Sequence, residues 1–128
     1  MSVRLLLDTH LLLWWLSDDP LLPAAARGAI SSPDNEVMVS AAAVWEIAIK
    51  KAVGRLEAPD DLGEVLSTSD FETLEIAASH ALLAGGLAPH HSDPFDRMMI
   101  AHTLAENLTL LSVDERFPQY DVELLLLS

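Results

Sequence analysis

Short apolar runs alternate along the chain with longer segments in which apolar residues recur at helical spacing. Residues 3–7 (VRLLL) form the first run, almost continuously hydrophobic and closed by a polar Asp-Thr-His, as expected of a parallel strand buried on both faces. Residues 36–39, 71–76, 109–113 and 122–127 supply four more strands. Helices are predicted over 11–16, 21–30, 41–53, 77–83 and 93–107, with a short one over 60–67. The punctuation agrees with this division. Pro20 stops the first helix, and residues 31–35 are turn chemistry. Ser40 can cap the third helix and Gly54 can end it. Gly85-Gly86 ends the fifth, and Asp93-Pro94 opens the last.

Strands alternating with helices predict an α/β fold, with a mostly parallel sheet of about five strands covered on both faces. At 128 residues the chain fits a single domain, 1–128, without repeats or linkers.

Composition narrows the function. Hydrophobic residues make up 51% of the chain, enough for a core, and there is no cysteine, so disulfides and thiolate metal sites are excluded. The longest apolar stretches, 5–16 and 124–127, are too short to cross a bilayer. A strand beginning at Val3 leaves no room for a signal peptide, and a cytoplasmic protein is expected. The net charge of −13 has the wrong sign for ordinary nucleic-acid binding. Whether the acids are scattered or gathered therefore matters.

In a parallel sheet, ligands bind beyond the carboxyl ends of the strands. Asp8 directly follows the first strand and Asp114 the fourth. Glu46 falls in the second turn of the helix after the second strand, and Asp96 in the first turn of the helix leading into the fourth. Each has a plainer reading. Asp8 can cap a helix, and Asp114 can open a turn. Glu46 can pair with Lys50 one turn on, yet its other helical neighbours, Ala42, Ala43 and Ile49, are apolar and draw it toward burial. Asp93 before Pro94 reads as a cap, whereas Asp96 sits over Met99 and Ile100 and faces inward.

Together the four acids say more. Carboxylates that converge repel one another unless a cation joins them. Hard oxygen donors without cysteine, or histidines at zinc spacing, point to magnesium or manganese, and such a centre suits phosphoryl chemistry. The five histidines, among them the adjacent His90 and His91 and the mid-helix His102, read as surface or core residues. Trp14, Trp15 and Trp45 could stack on bases but sit among leucine and alanine as core or interface residues do.

Four segments carry a resemblance: LLLDTH with Asp8, SAAAVWEIAIK with Glu46, DPFDRMMIAHTLAE with Asp96, and TLLSVDERF with Asp114. Together they resemble the PIN-domain toxins of VapC type over essentially the whole chain. The resemblance implies a three-layer α/β/α sandwich and a metal-dependent endoribonuclease using Mg²⁺, with Mn²⁺ possible. Asp8, Glu46, Asp96 and Asp114 match the family's acidic positions and would be both catalytic and metal-binding. It also implies an RNA substrate, a homodimer, and a small antitoxin whose amphipathic tail lies in an apolar groove. Asp93 would support the site from outside, Ser112 stands where threonine is common, and Glu115 adds charge beside Asp114.

Two rival readings fit parts of the pattern. A phosphohydrolase with Asp8 as covalent nucleophile would need an Asp-x-Asp pair, but residue 10 is His10. A non-catalytic module with an acidic rim for a basic partner would bind no divalent cation. For an RNA-cleaving protein, Lys50, Lys51 and Arg55 are the candidate phosphate contacts.

Overall fold

The computed structural model describes residues 3–89, 92–113 and 124–126. In chain order its elements are β1 (Arg4–Leu7), α1 (Thr9–Leu16), α2 (Ala24–Ser31), β2 (Glu36–Ser40), α3 (Ala41–Ala52), α4 (Leu62–Thr68), β3 (Glu72–Leu74), α5 (Ala78–Gly86), α6 (Pro94–Ala105), β4 (Thr109–Ser112) and β5 (Leu124–Leu126). The five strands form one sheet in the order β3-β2-β1-β4-β5, and every described pairing is parallel. Leu5 lies opposite Val37 on one side, and Leu7 lies opposite Leu111 on the other.

The central strands are buried over almost their full length. Leu5, Leu6 and Leu7 of β1, Val37, Met38 and Val39 of β2, and Leu110 and Leu111 of β4 are all core residues. Burial of consecutive residues, which point to opposite faces, means that helices cover both sides of the sheet. This is the expected three-layer α/β/α sandwich. Leu11 and Leu12 of α1, Ile47 of α3, and Met99 and Ile100 of α6 close the core. Among the described residues, no helix is long and apolar enough to cross a membrane.

Local chemistry sets the helix ends. Ser40 Oγ accepts from Ala42 N–H at 3.0 Å and caps α3. Gly54 follows that helix in the left-handed region at φ 74°, where a side chain would be strained. Asp93 Oδ1 accepts from the N–H groups of Phe95 and Asp96, with Pro94 leading the helix.

Most boundaries shift by a residue or two from the sequence expectation, and three of the differences have a local cause. α1 begins at Thr9 rather than Leu11, because Asp8 alone links strand to helix and its carbonyl already accepts from Leu12 N–H. α2 begins at Ala24 rather than Leu21, since Pro23 disfavours helical backbone at Leu22 before it. α5 runs through Gly85-Gly86 instead of stopping before them. There the Arg97 guanidinium donates to the carbonyls of Ala84, Leu87 and Ala88, satisfying acceptors that a helix end otherwise leaves open.

Candidate active site at the strand ends

The strand order places a topological switch at β1. The chain leaves β1 toward β2 and β3 on one side, then returns to lay β4 on the other. Crevices at such a switch, beyond the carboxyl ends of the strands, are where open α/β sheets bind ligands.

Asp8 stands at that point, one residue past β1 and 2% exposed. It occupies the cap position of α1, yet its side chain makes no capping bond. Its Oδ2 instead accepts from Ser112 Oγ, the last residue of β4, at 2.7 Å. Asp8 N–H donates to Leu111 O at 3.0 Å, so backbone and side chain are both referenced to the neighbouring strand. The plainer reading of Asp8 as a side-chain cap therefore fails.

Glu46 reaches the same rim from the second turn of α3, which follows β2 without an intervening loop. It is 4% exposed. Thr9, directly after Asp8, donates its hydroxyl to Glu46 Oε1 at 2.8 Å. Lys50 donates to Oε2 at 2.6 Å. The helical Glu46–Lys50 pair expected from spacing is thus present, but its carboxylate is buried and only the lysine side chain is open to solvent. The Lys50 ammonium is held above its ordinary pKa, first by the hydrogen bond to Glu46 and then by the nearby charges of Glu46, Asp93 and Asp96, against an opposing effect of burial.

Asp96 is half-buried in the first turn of α6. One turn on, Met99 Sδ lies 3.9 Å from the Thr9 hydroxyl, so the inward face of this helix packs on the residue that joins Asp8 to Glu46. Asp93 acts as the predicted helix cap. Asp114 and Glu115 lie outside the described residues, as do His90, His91 and Arg116. Among the described residues, no three His, Asp or Glu side chains form a group that could hold a metal ion. Asp8 and Glu46 are the two carboxylates linked through one dipeptide.

The donor chemistry here fits a hard divalent cation. It offers two buried carboxylates, those of Asp8 and Glu46, with neighbouring hydroxyls that fix their orientation. Buried carboxylates need compensation, and Glu46 draws it from Lys50.

Sequence reasoning did not assign Thr9 to the site, and it noted Ser112 only as a position of the family resemblance. The signal for Thr9 is position, a hydroxyl residue at a strand end beside a candidate acid. His102 proves to be a core histidine, fully buried. Its Nδ1 lies 3.0 Å from Ser40 Oγ and its Nε2 3.1 Å from Glu75 O, tying α6 to the cap of the helix that bears Glu46. Trp45, beside Glu46, is 57% exposed and packs edge-on against Phe95, beside Asp96, with ring centroids 5.1 Å apart.

A family model described as the PIN domain matches residues 5–123. No curated protein matches the sequence. Among solved structures, the chain is similar to one from VapBC2 of Rickettsia felis bound to a DNA fragment from its promoter. The TM-score there is 0.74 at 16% identity, covering 98% of this chain and 100% of that one. It is also similar to a toxin–antitoxin complex from Klebsiella pneumoniae, with TM-score 0.65, 18% identity and 94% of each chain covered. VapBC-1 of nontypeable Haemophilus influenzae gives TM-score 0.67 at 19% identity, over 97% of this chain and 98% of that one.

Proposed function

The chain belongs to the PIN-domain family, and on that premise we propose that it is a magnesium-dependent endoribonuclease, the VapC-type toxin of a type II toxin–antitoxin pair. Manganese is the alternative ion. The observation that carries this reading is the buried pair Asp8 and Glu46, bridged by Thr9 at the switch point of the sheet. Asp8, Glu46, Asp96 and Asp114 are the residues that would hold the ion. When bound, a divalent ion would lower the pKa of an attacking water and neutralise charge on the phosphate.

The chain's own residues prepare the site. Ser112 orients Asp8 and Thr9 orients Glu46, so the carboxylates are set before substrate arrives. Asp93 holds the first turn of α6 and with it the backbone of Asp96. Lys50 is bonded to a rim carboxylate, and Lys50, Lys51 and Arg55 are the candidate phosphate contacts. Lys51 also donates to Ala58 O and Asp60.

The toxin–antitoxin complexes among the similar structures support an antitoxin partner. A groove of ≈ 550 Å³ between α1 and residues 56–59, whose wall combines Leu13, Trp14 and Leu56 with His10, Asp19 and Glu57, would take that partner's amphipathic tail. Trp45 and Ile49 of α3 and Val53 at its C-cap are exposed one turn apart, which supports a second copy of the chain as a further partner. A cytoplasmic location accords with such partners.

The test is cleavage of structured RNAs with Mg²⁺, Mn²⁺ or a chelator, with Asp8→Asn as control. The wild type cleaves only with a divalent ion, and Asp8→Asn does not cleave. Equal cleavage by Asp8→Asn, or cleavage undiminished by chelator, overturns the assignment.

A further inference from the structure

Glu46 enters the site already paired with a cation. Both of its oxygens are engaged, Oε1 by the Thr9 hydroxyl and Oε2 by the Lys50 ammonium at 2.6 Å. The two partners differ in kind. Thr9 is buried, neutral and fixed at the start of α1. Lys50 carries a full charge on a flexible stem, and its side chain is 41% exposed.

The other described basic side chains with defined contacts are committed elsewhere. Lys51 is bound to Ala58 O and Asp60, Arg97 to the carbonyls at the end of α5, Arg27 to Asp18, and Arg4 to Glu36 and Glu106 O. Lys50 instead contacts a site carboxylate.

A buried carboxylate needs a positive partner, and two cations at the same carboxylate repel each other. We propose that Lys50 is a built-in counter-cation of the site, which neutralises Glu46 in the metal-free protein and must swing away from Oε2 as a divalent ion binds. Its exposure gives it a route into solvent, and the four-carbon stem lets it leave without moving α3. Once released, the ammonium stands at the rim of an otherwise acidic surface, where a substrate phosphate would meet it. Lys50 thus sets a threshold for metal loading and couples it to substrate charge. Toward the metal it is a positioning residue, acting through Glu46.

The inference rests on the metal site proposed above, and the experiment separates the two. Mn²⁺ binding is measured by calorimetry on the wild type, Lys50→Met, Lys50→Arg and Asp8→Asn. Lys50→Met should bind Mn²⁺ about tenfold more tightly, because the charge-assisted bond it competes with is gone. Its metal-free thermal midpoint should fall and its gain on adding Mn²⁺ should exceed that of the wild type. Lys50→Arg should bind as the wild type does. A purely structural lysine would lower the midpoint without tightening binding.

In the unaltered protein, Mn²⁺ should raise labelling of Lys50 by an amine reagent, read by mass spectrometry, with Lys51 as the internal control. That measurement stands even where Lys50→Met does not fold. No Mn²⁺ binding by the wild type overturns the metal site and the role of Lys50 with it. Wild-type binding that Lys50→Met leaves unchanged or weakens, or Lys50 labelling indifferent to Mn²⁺, overturns the role of Lys50 alone.

Discussion

Asp8 and Ser112, 104 residues apart in the chain, meet in a buried hydrogen bond of 2.7 Å from the serine hydroxyl to Asp8 Oδ2. The bond crosses from the last residue of β4 to the residue after β1. It holds the Asp8 carboxylate toward β4, and that side chain makes no capping bond to α1. Ser112→Ala should cost about 1–3 kcal/mol of stability, the range for leaving a buried polar partner unsatisfied. Ser112→Thr keeps the hydroxyl and should stay near wild type. Urea unfolding of the two variants checks this. A wild-type midpoint for Ser112→Ala would show that the bond contributes nothing.

Thr9 makes the corresponding contact to Glu46. Thr9→Val preserves shape and removes the hydroxyl, so it should lower RNA cleavage while the protein remains folded. Glu46→Gln should be more severe. Combining the two should cost little beyond Glu46→Gln alone, because residues acting as one unit are not additive. Single-turnover cleavage rates at saturating metal provide the measurement, and strictly additive losses would separate Thr9 from Glu46.

Acid should weaken the fold through His102. Its pKa is pushed below the ordinary 6.5, first by burial and also by the neighbouring His80, against the favourable pull of the Glu75 carbonyl and Glu106. The Glu75 carbonyl can only accept, so Nε2 carries the proton and Nδ1 accepts from Ser40. A second proton, on Nδ1, would require the Ser40 hydroxyl to accept where it now donates. Below 6.5 the unfolded chain binds a proton that the folded one refuses, so stability is full above that pH. It falls as pH drops from 6.5 toward the lower folded value. Denaturant midpoints at pH 7.5 and 5.5 should differ in the wild type and differ less in His102→Gln. An equal pH response in both would assign the effect to other groups.

Arg97 ties the end of α5 to the turn of α6 that carries Asp96. Arg97→Ala should destabilise the protein by about 2 kcal/mol or more, since charged hydrogen bonds to several carbonyls are lost together. Arg97→Lys should recover only part, because an ammonium cannot span the same set of acceptors. Thermal unfolding of the three proteins tests the order.

RNA binding should respond weakly to monovalent salt and strongly to divalent ions. With 7 Lys and Arg in the chain, several of them bound to their own protein, few phosphates can be neutralised. A steep monovalent slope in an affinity titration would contradict this.

Much of the fold was legible in the sequence because local forces decide it. The run Leu5-Leu6-Leu7 marked a strand buried on both faces, Ser40 and Asp93 marked helix starts, and Gly54 marked a stop, each through backbone chemistry confined to a few residues. The apolar neighbours of Glu46 in α3 likewise foretold its burial. What local patterning could not decide was the order β3-β2-β1-β4-β5, since backbone hydrogen bonds between strands are blind to side-chain identity. Only the packed sheet sets β4 beside β1, turning Ser112 from a strand residue into the partner of Asp8. Only the docking of α1 against α3 brings Thr9 to Glu46. These contacts span 104 and 37 residues, and the free energy that holds them comes from burying the whole core, which no single segment possesses.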